Sequence, residues 1–252
     1  MDGKRPWYRR PLPLIGSILG LIVLGFIGYI GFNMVKYIYL MKSGKIPQGL
    51  TLEQISLLPD AETILSATHP SDSLISTIES GVNPTLGNPS AKVKIVEFVD
   101  YDCPFCQRTA NVMREFMAKH ADDAYLILRD FPIEELHPAT KDISVAARCA
   151  FLQSQDKYWV FHDMLYENLS ARTPDALALM AQRAGLDMQA FNQCVSSKQT
   201  LPEVDKSYAD AVSAGGRGTP TFFFNGHKVD GAMDADHFEA MFQAAVQLAE
   251  QN

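Results

Sequence analysis

Four cysteines, six histidines and a shortage of basic side chains restrict what this 252-residue chain can be. With one C-x-x-C and no second one, and with its histidines scattered, it lacks the four-ligand pattern of a structural zinc site. After residue 45 there are 15 Lys or Arg against 28 Asp or Glu, a net charge of −13 that repels phosphate backbones and argues against nucleic-acid binding. Internal repeats and low-complexity tracts are missing too, which excludes solenoids and arrays. Charge is absent altogether from Leu12 to Val35.

That uncharged stretch is rich in Leu, Ile, Gly and Val and is long enough to cross about 30 Å of hydrocarbon as a helix. Lys4, Arg5, Arg9 and Arg10 precede it, and Trp7, Tyr8, Tyr37 and Tyr39 flank it as interface residues do. The expectation is a cytoplasmic N-terminus over 1–11, a single-pass anchor over 12–35 and everything later outside the cytoplasm, in the periplasm or at the cell surface. Lys36, Lys42 and Lys45 on the far side weigh against this orientation. A cleaved signal peptide is the rival reading, but no A-x-A-like site follows; a twin-arginine signal at Arg9-Arg10 is another. Residues 36–88, with Pro47, Pro59, Pro70 and Pro84, read as a tether with one short helix near Thr51 to Leu58. A coil of that length spans roughly 40 Å on average.

The catalytic chemistry is carried by Cys103-Pro104-Phe105-Cys106. It stands just after the apolar run Val93 to Val99 and at the start of a helical pattern reaching His120. Two thiols three residues apart at a helix start form a small-loop disulfide. The unpaired N–H groups of the first turn favour the thiolate of the first. Cys103 is therefore the expected nucleophile and Cys106 the expected resolving thiol. A zinc half-site is the other use of this spacing. Downstream, Gly218-Thr219-Pro220 leads into Thr221-Phe-Phe-Phe224 and Asn225-Gly226, a strong hairpin signal with Lys228 and Val229 on the returning strand.

With Arg129-Asp-Phe-Pro132, His137-Pro138 and Ala146-Ala-Arg-Cys-Ala150, these motifs resemble the DsbA-like branch of the thioredoxin-fold oxidoreductases over about residues 85–250. The resemblance implies an α/β thioredoxin fold over 89–252, with a helical insertion at about 138–214. It implies a cis-Pro220 beside Cys103, where a plain trans-proline is the alternative. Thr219, Phe105 and Pro104 would then contact an extended substrate. It also implies a buried acid, Glu97, relaying the Cys106 proton; an ordinary surface carboxylate is the alternative. Phe105 departs from the family's best-known oxidases, which carry His there, and that weakens the expected oxidising power. Gly216 replaces a usual apolar residue.

Cys149 and Cys194 remain. Their even count suits a structural disulfide in an oxidising compartment; two separate buried thiols are the alternative. His137, His162 and His237 read as caps or surface residues, and Trp159, Phe161, Met164 and Leu165 as core. The activity expected is thiol:disulfide exchange without metal or organic cofactor, most plausibly donating disulfides to reduced or misoxidised exported polypeptides. Resemblance implies a membrane redox partner of the DsbB or VKOR type. A reductase or isomerase, a client- or metal-binding module and a chaperone-like scaffold stay open.

Overall fold

The computed structural model describes residues 71–167 and 173–251, with Tyr29, Ala61 and Leu65 besides. The first helix described over its full length, α1 (Asp72–Ile78), begins where the Ser71 hydroxyl accepts the Leu74 N–H at 3.2 Å, an N-cap of the ordinary kind. Strand β1 (Thr85–Gly87) follows, then β2 (Val93–Val99), α2 (Pro104–Lys119) and β3 (Ala124–Asp130). Five helices come next: α3 (Thr140–Gln153), α4 (Gln155–Glu167), α5 (Pro174–Arg183), α6 (Met188–Ser196) and α7 (Leu201–Ser213). The hairpin β4 (Thr221–Phe224) and β5 (His227–Asp230) precedes the last helix, α8 (Ala235–Gln251).

The five strands form one mixed sheet in the order β1-β3-β2-β4-β5. Only β2 and β3 are parallel, joined through α2, while β1, β4 and β5 run antiparallel to their neighbours. Because β2 is central, both its faces are covered, which explains an apolar run without alternation. Val93, Ile95 and Val99 face the larger core with Met113 of α2 and Phe238 of α8, whereas Val96 and Phe98 face a smaller one with Ile78 of α1 and Ala211 of α7. Three consecutive phenylalanines of β4, all fully buried, fill both sides.

Sequence signals place most boundaries for stated reasons. Pro104 occupies the first turn of α2, where its missing N–H costs nothing. Thr173 caps α5 through its hydroxyl, and Gly185 closes it at φ +74°, a conformation glycine adopts without strain. At the hairpin, Asn225 lies at φ 47° and Gly226 at φ 85°, as a two-residue turn requires. The Asn225 side chain also accepts the Lys94 N–H at 2.8 Å, pinning the turn to β2.

The polypeptide joins the fold before residue 89, where a tether was expected. Strand β1 pairs with β3, Ile78 is fully buried, and Leu65 is buried in the larger core. Such a short edge strand has no periodicity of its own and exists because β3 offers a free edge. The helix expected near Thr51 to Leu58 and the anchor expected over 12–35 lie outside the described residues, Tyr29 apart. No helix among the described residues is long and apolar enough to cross a membrane.

Cys149 of α3 and Cys194 of α6 form a disulfide that ties the helical region together. Both are buried, and the bridge spans a sequence separation of 45. Closing a loop of that size in the unfolded chain is worth about 4 kcal/mol. Replacing both cysteines by serine should lower the unfolding free energy by about that amount in urea titrations run with the other two thiols reduced; an unchanged midpoint would contradict it.

Candidate active site

Asp100 follows β2 directly and fixes the turn that carries the dithiol. It is fully buried, and its carboxylate accepts the Asp102 N–H at 2.8 Å, the Ile133 N–H at 2.9 Å and the Thr140 hydroxyl at 2.5 Å. His137 Nδ1 lies 3.0 Å from the same carboxylate, and the Asp100 carbonyl accepts the Cys103 N–H at 3.1 Å. One side chain thus holds the Cys103 turn and the loop after β3 in a fixed relation.

Cys103 is the N-cap of α2 and Cys106 lies one turn in. Both are buried, at 4% and 1% exposure, so Cys103 is less open to solvent than its place at a helix start suggests. The reason is the Thr219-Pro220 loop, whose Thr219 carbonyl oxygen lies 3.3 Å from Cys103 Sγ, within hydrogen-bonding distance of the protonated thiol. The Thr219-Pro220 peptide bond is cis. Gly216, upstream in the same loop, allows the approach of chain to chain: a Cβ there would lie 2.9 Å from the Ala211 carbonyl oxygen and 3.1 Å from the Phe131 ring. The glycine that departs from the family pattern is therefore a packing requirement here.

The two thiols are chemically unequal. A hydrogen bond from the Cys106 thiol, helped by the Thr219 side chain and the backbone N–H groups of Cys106 and Phe105, outweighs burial and brings Cys103 down to about 5. Cys106 goes the other way, well above the ordinary thiol value, chiefly because it is buried and also because it donates to Cys103. At neutral pH the reduced pair is a Cys103 thiolate beside a Cys106 thiol.

Glu97 sits in the middle of β2, on the face of Val93, Ile95 and Val99, paired in register with Leu128 and Phe222. It is 2% exposed, and burial alone pushes its carboxyl up to about 8, so it is protonated at neutral pH. Once ionised it would raise Cys106 further, so the two groups are electrostatically coupled.

Pro104 and Phe105 are exposed beside Cys103, and the Arg108 guanidinium lies 4.5 Å over the Phe105 ring. Trp159, Phe161 and Leu165 are core, as expected, and Met164 packs at its margin. His162, expected at the surface, is instead 3% exposed, enclosed by Tyr101, Tyr158, Trp159 and Tyr166. Desolvation lowers its pKa. Helix α4 packs against α2, so the face that amphipathicity marked as polar is covered. Tyr101 and Tyr158, hydroxyls 2.8 Å apart, complete this aromatic cage; they are 57 positions apart, so no local pattern signals it. Among the described residues no group of three His, Cys, Asp or Glu side chains converges as a metal site would require.

The architecture has known counterparts. The thiol-disulfide exchange protein alpha-DsbA2 of Wolbachia pipientis superposes with a TM-score of 0.63 at 20% identity, covering 75% of this chain and 95% of that one. A thioredoxin-like oxidoreductase from Silicibacter pomeroyi gives 0.59 at 26% identity, covering 70% and 98%. BdbD from Bacillus subtilis, in its oxidised form, gives 0.58 at 19%, covering 71% and 96%. Among curated proteins, the Na(+)/H(+) antiporter NhaA 1 of Mycolicibacterium gilvum is 32% identical over 151 residues, 59% of this chain but 24% of that protein. The chain thus spans about a quarter of the length of the curated relatives it matches, and the transport their names describe stays with them. A thioredoxin family model matches residues 79–244, which include the dithiol, Glu97, the bridged helices and the Thr219-Pro220 loop. By that match, and with the fold of DsbA-like thiol-disulfide oxidoreductases, the chain belongs to the thioredoxin family.

Proposed function

We propose that this chain is a membrane-tethered, extracytoplasmic thiol:disulfide oxidoreductase that introduces disulfides into exported proteins. The observation that carries the reading is the unequal pair, a Cys103 thiolate held near 5 beside a buried Cys106 thiol. Stabilising the thiolate stabilises the reduced protein, and a protein that prefers its reduced form is an oxidant when disulfide-bonded.

The steps follow from that geometry. A client thiolate attacks Cys103 Sγ of the Cys103–Cys106 disulfide, forming a mixed disulfide while Cys106 leaves with the electron pair. The protonated Glu97 carboxyl, electrostatically coupled to Cys106, is the buried acid that would supply the proton Cys106 takes up. A second client thiolate then attacks the client sulfur, closing the client disulfide and releasing Cys103 as a thiolate. Two client thiols are oxidised and one protein disulfide is reduced. Thr219, Phe105 and Pro104, beside the nucleophile, are the surface an extended client segment would meet. A membrane redox partner of the DsbB or VKOR type would restore the disulfide. The uncharged stretch 12–35, with basic residues before it, supports the tether and the orientation.

A reductase or isomerase is the second reading, favoured by one observation: an apolar Phe105 stands where a histidine would add to thiolate stabilisation. Titration of the Cys103–Cys106 pair in glutathione buffers, on protein with the Cys149–Cys194 bridge intact, decides between them. A potential above about −180 mV is expected, and one below about −240 mV would overturn the oxidase assignment.

A further inference from the structure

Arginines in this acidic domain divide sharply by pairing. Arg114, Arg129 and Arg148 each meet a carboxylate, those of Asp163, Asp210 and Asp130. Arg108, Arg183 and Arg217 are exposed and have no carboxylate partner among the described residues. Arg183 closes α5. The other two belong to the two elements that enclose Cys103, helix α2 and the loop before Pro220.

Arg217 stands among glycines, in Gly215-Gly216-Arg217-Gly218, so it is the one side chain this stretch presents. The backbone is fastened on both sides of it. Lys228 Nζ donates to the Gly215 carbonyl at 2.8 Å, and the Thr221 hydroxyl donates to the Gly218 carbonyl at 2.8 Å. Two residues on, the Thr219 carbonyl oxygen lies 3.3 Å from Cys103 Sγ. Two residues of chain span at most about 7 Å, so Arg217 is held close to the point where the loop touches the sulfur. Arg108 stands on the other element, its guanidinium 4.5 Å over the Phe105 ring, which is 51% exposed in the same helical turn as Cys103. Stacking on that ring holds the charge beside the dithiol. The acidic residues nearby in sequence are Asp102, half-buried directly before Cys103, and Glu134 and Glu135 after β3, of which Glu134 is taken up by Lys141. Two cations without carboxylates at one nucleophile, in a chain with a net charge of −13 after residue 45, make a local field opposite in sign to that of the domain.

We propose that Arg108 and Arg217 form a charge-reading rim that selects client segments with an acidic residue one or two positions from the reacting cysteine. The selectivity rests on the exchange activity proposed above and adds to it the kind of client preferred. An extended client advances about 3.5 Å per residue, so with its cysteine at Cys103 Sγ the neighbouring side chains fall within the reach of the two guanidiniums. A carboxylate there gains a charge-assisted pair, and a lysine is repelled.

The test uses full-length oxidised protein and three reduced peptides with two cysteines each, alike except that Glu, Gln or Lys flanks the cysteines. Each rate of peptide oxidation is divided by the rate of the same peptide with a small neutral disulfide, which removes the effect of flanking charge on the client thiols themselves. In about 0.15 M salt a Debye length of about 8 Å screens the distant acidic surface but not the rim, and the Glu peptide should exceed the Lys peptide by about tenfold. In about 1 M salt the preference should fall to near unity. Arg217→Gln should reduce it by about threefold, and Arg108→Glu combined with Arg217→Glu should reverse it. Both positions are exposed and neither has a positive φ, so the substitutions leave the fold and the thermal midpoint in place. A wild-type ratio of one or below, or a preference that survives in the double variant, would overturn the proposal. Failure of the wild type to oxidise any of the three peptides would instead remove the exchange activity, and this selectivity with it.

Discussion

Cys103 in the reduced protein should titrate with a midpoint of about 5, against 9.0 for an ordinary thiol. At pH 6 the thiolate fraction is then about a thousandfold higher than that of an unperturbed cysteine, although a thiolate of lower basicity is also less nucleophilic. With a Brønsted slope of about 0.45 the net gain in alkylation rate by iodoacetamide at pH 6 is roughly tenfold, confined to Cys103. Cys106 should stay unmodified under the same conditions. The energetic counterpart has a definite sign. A thiol whose folded value is depressed stabilises the folded, reduced protein most above about pH 9, progressively less as pH falls, and not at all below about 5. At neutral pH this stabilises the reduced form and so raises the potential of the couple, by an amount that solvent screening at the helix start reduces. A midpoint near 9 in the absorbance titration would remove the thermodynamic case for an oxidant.

Glu97→Gln should make the oxidised protein more stable with a pronounced dependence on pH. The wild-type carboxyl is held protonated up to about 8 in the fold, whereas in the unfolded chain it ionises from 4.5. Its stabilising contribution is thus complete below about 4.5, declines as pH rises, and is exhausted above about 8. The glutamine does not titrate, so the stability difference between variant and wild type should shift by about 3 kcal/mol in the variant's favour between pH 4.5 and pH 7. Any fixed cost of the buried amide drops out of that comparison. Exchange should slow at the same time, because the amide has no proton to give Cys106. Urea unfolding at the two pH values, paired with glutathione exchange rates, tests both halves. A pH-independent difference would mean that Glu97 is solvated and has no special role.

How far these features could be read from the amino-acid order depends on how local their causes are. The strand at Val93–Val99, the helix after the dithiol, the Asn225-Gly226 turn and the Thr173-Pro174 start depend on neighbours within a few residues, and they lie where patterning puts them. The strand Thr85–Gly87 does not, because it is held by Ile127, Leu126 and Tyr125 some forty positions away. The same distinction applies within the site. Cys103, Cys106 and Thr219-Pro220 are marked by motif, but the buried rings of Tyr101, Tyr158 and Tyr166 come together only because α4 packs on α2. Asp100 illustrates the limit: it is one acidic residue beside a turn, and only the arrival of Ile133, His137 and Thr140 makes it a joint of the site.

The Cys149–Cys194 bridge gives this protein a history. Its sulfurs are sealed in the core, so small thiols in a redox titration reach only the other pair, and the protein should take up two electrons rather than four. Those core cysteines had to be oxidised while the chain was still folding. The chain is therefore itself a substrate of disulfide formation before its Cys103–Cys106 pair can take part in exchange.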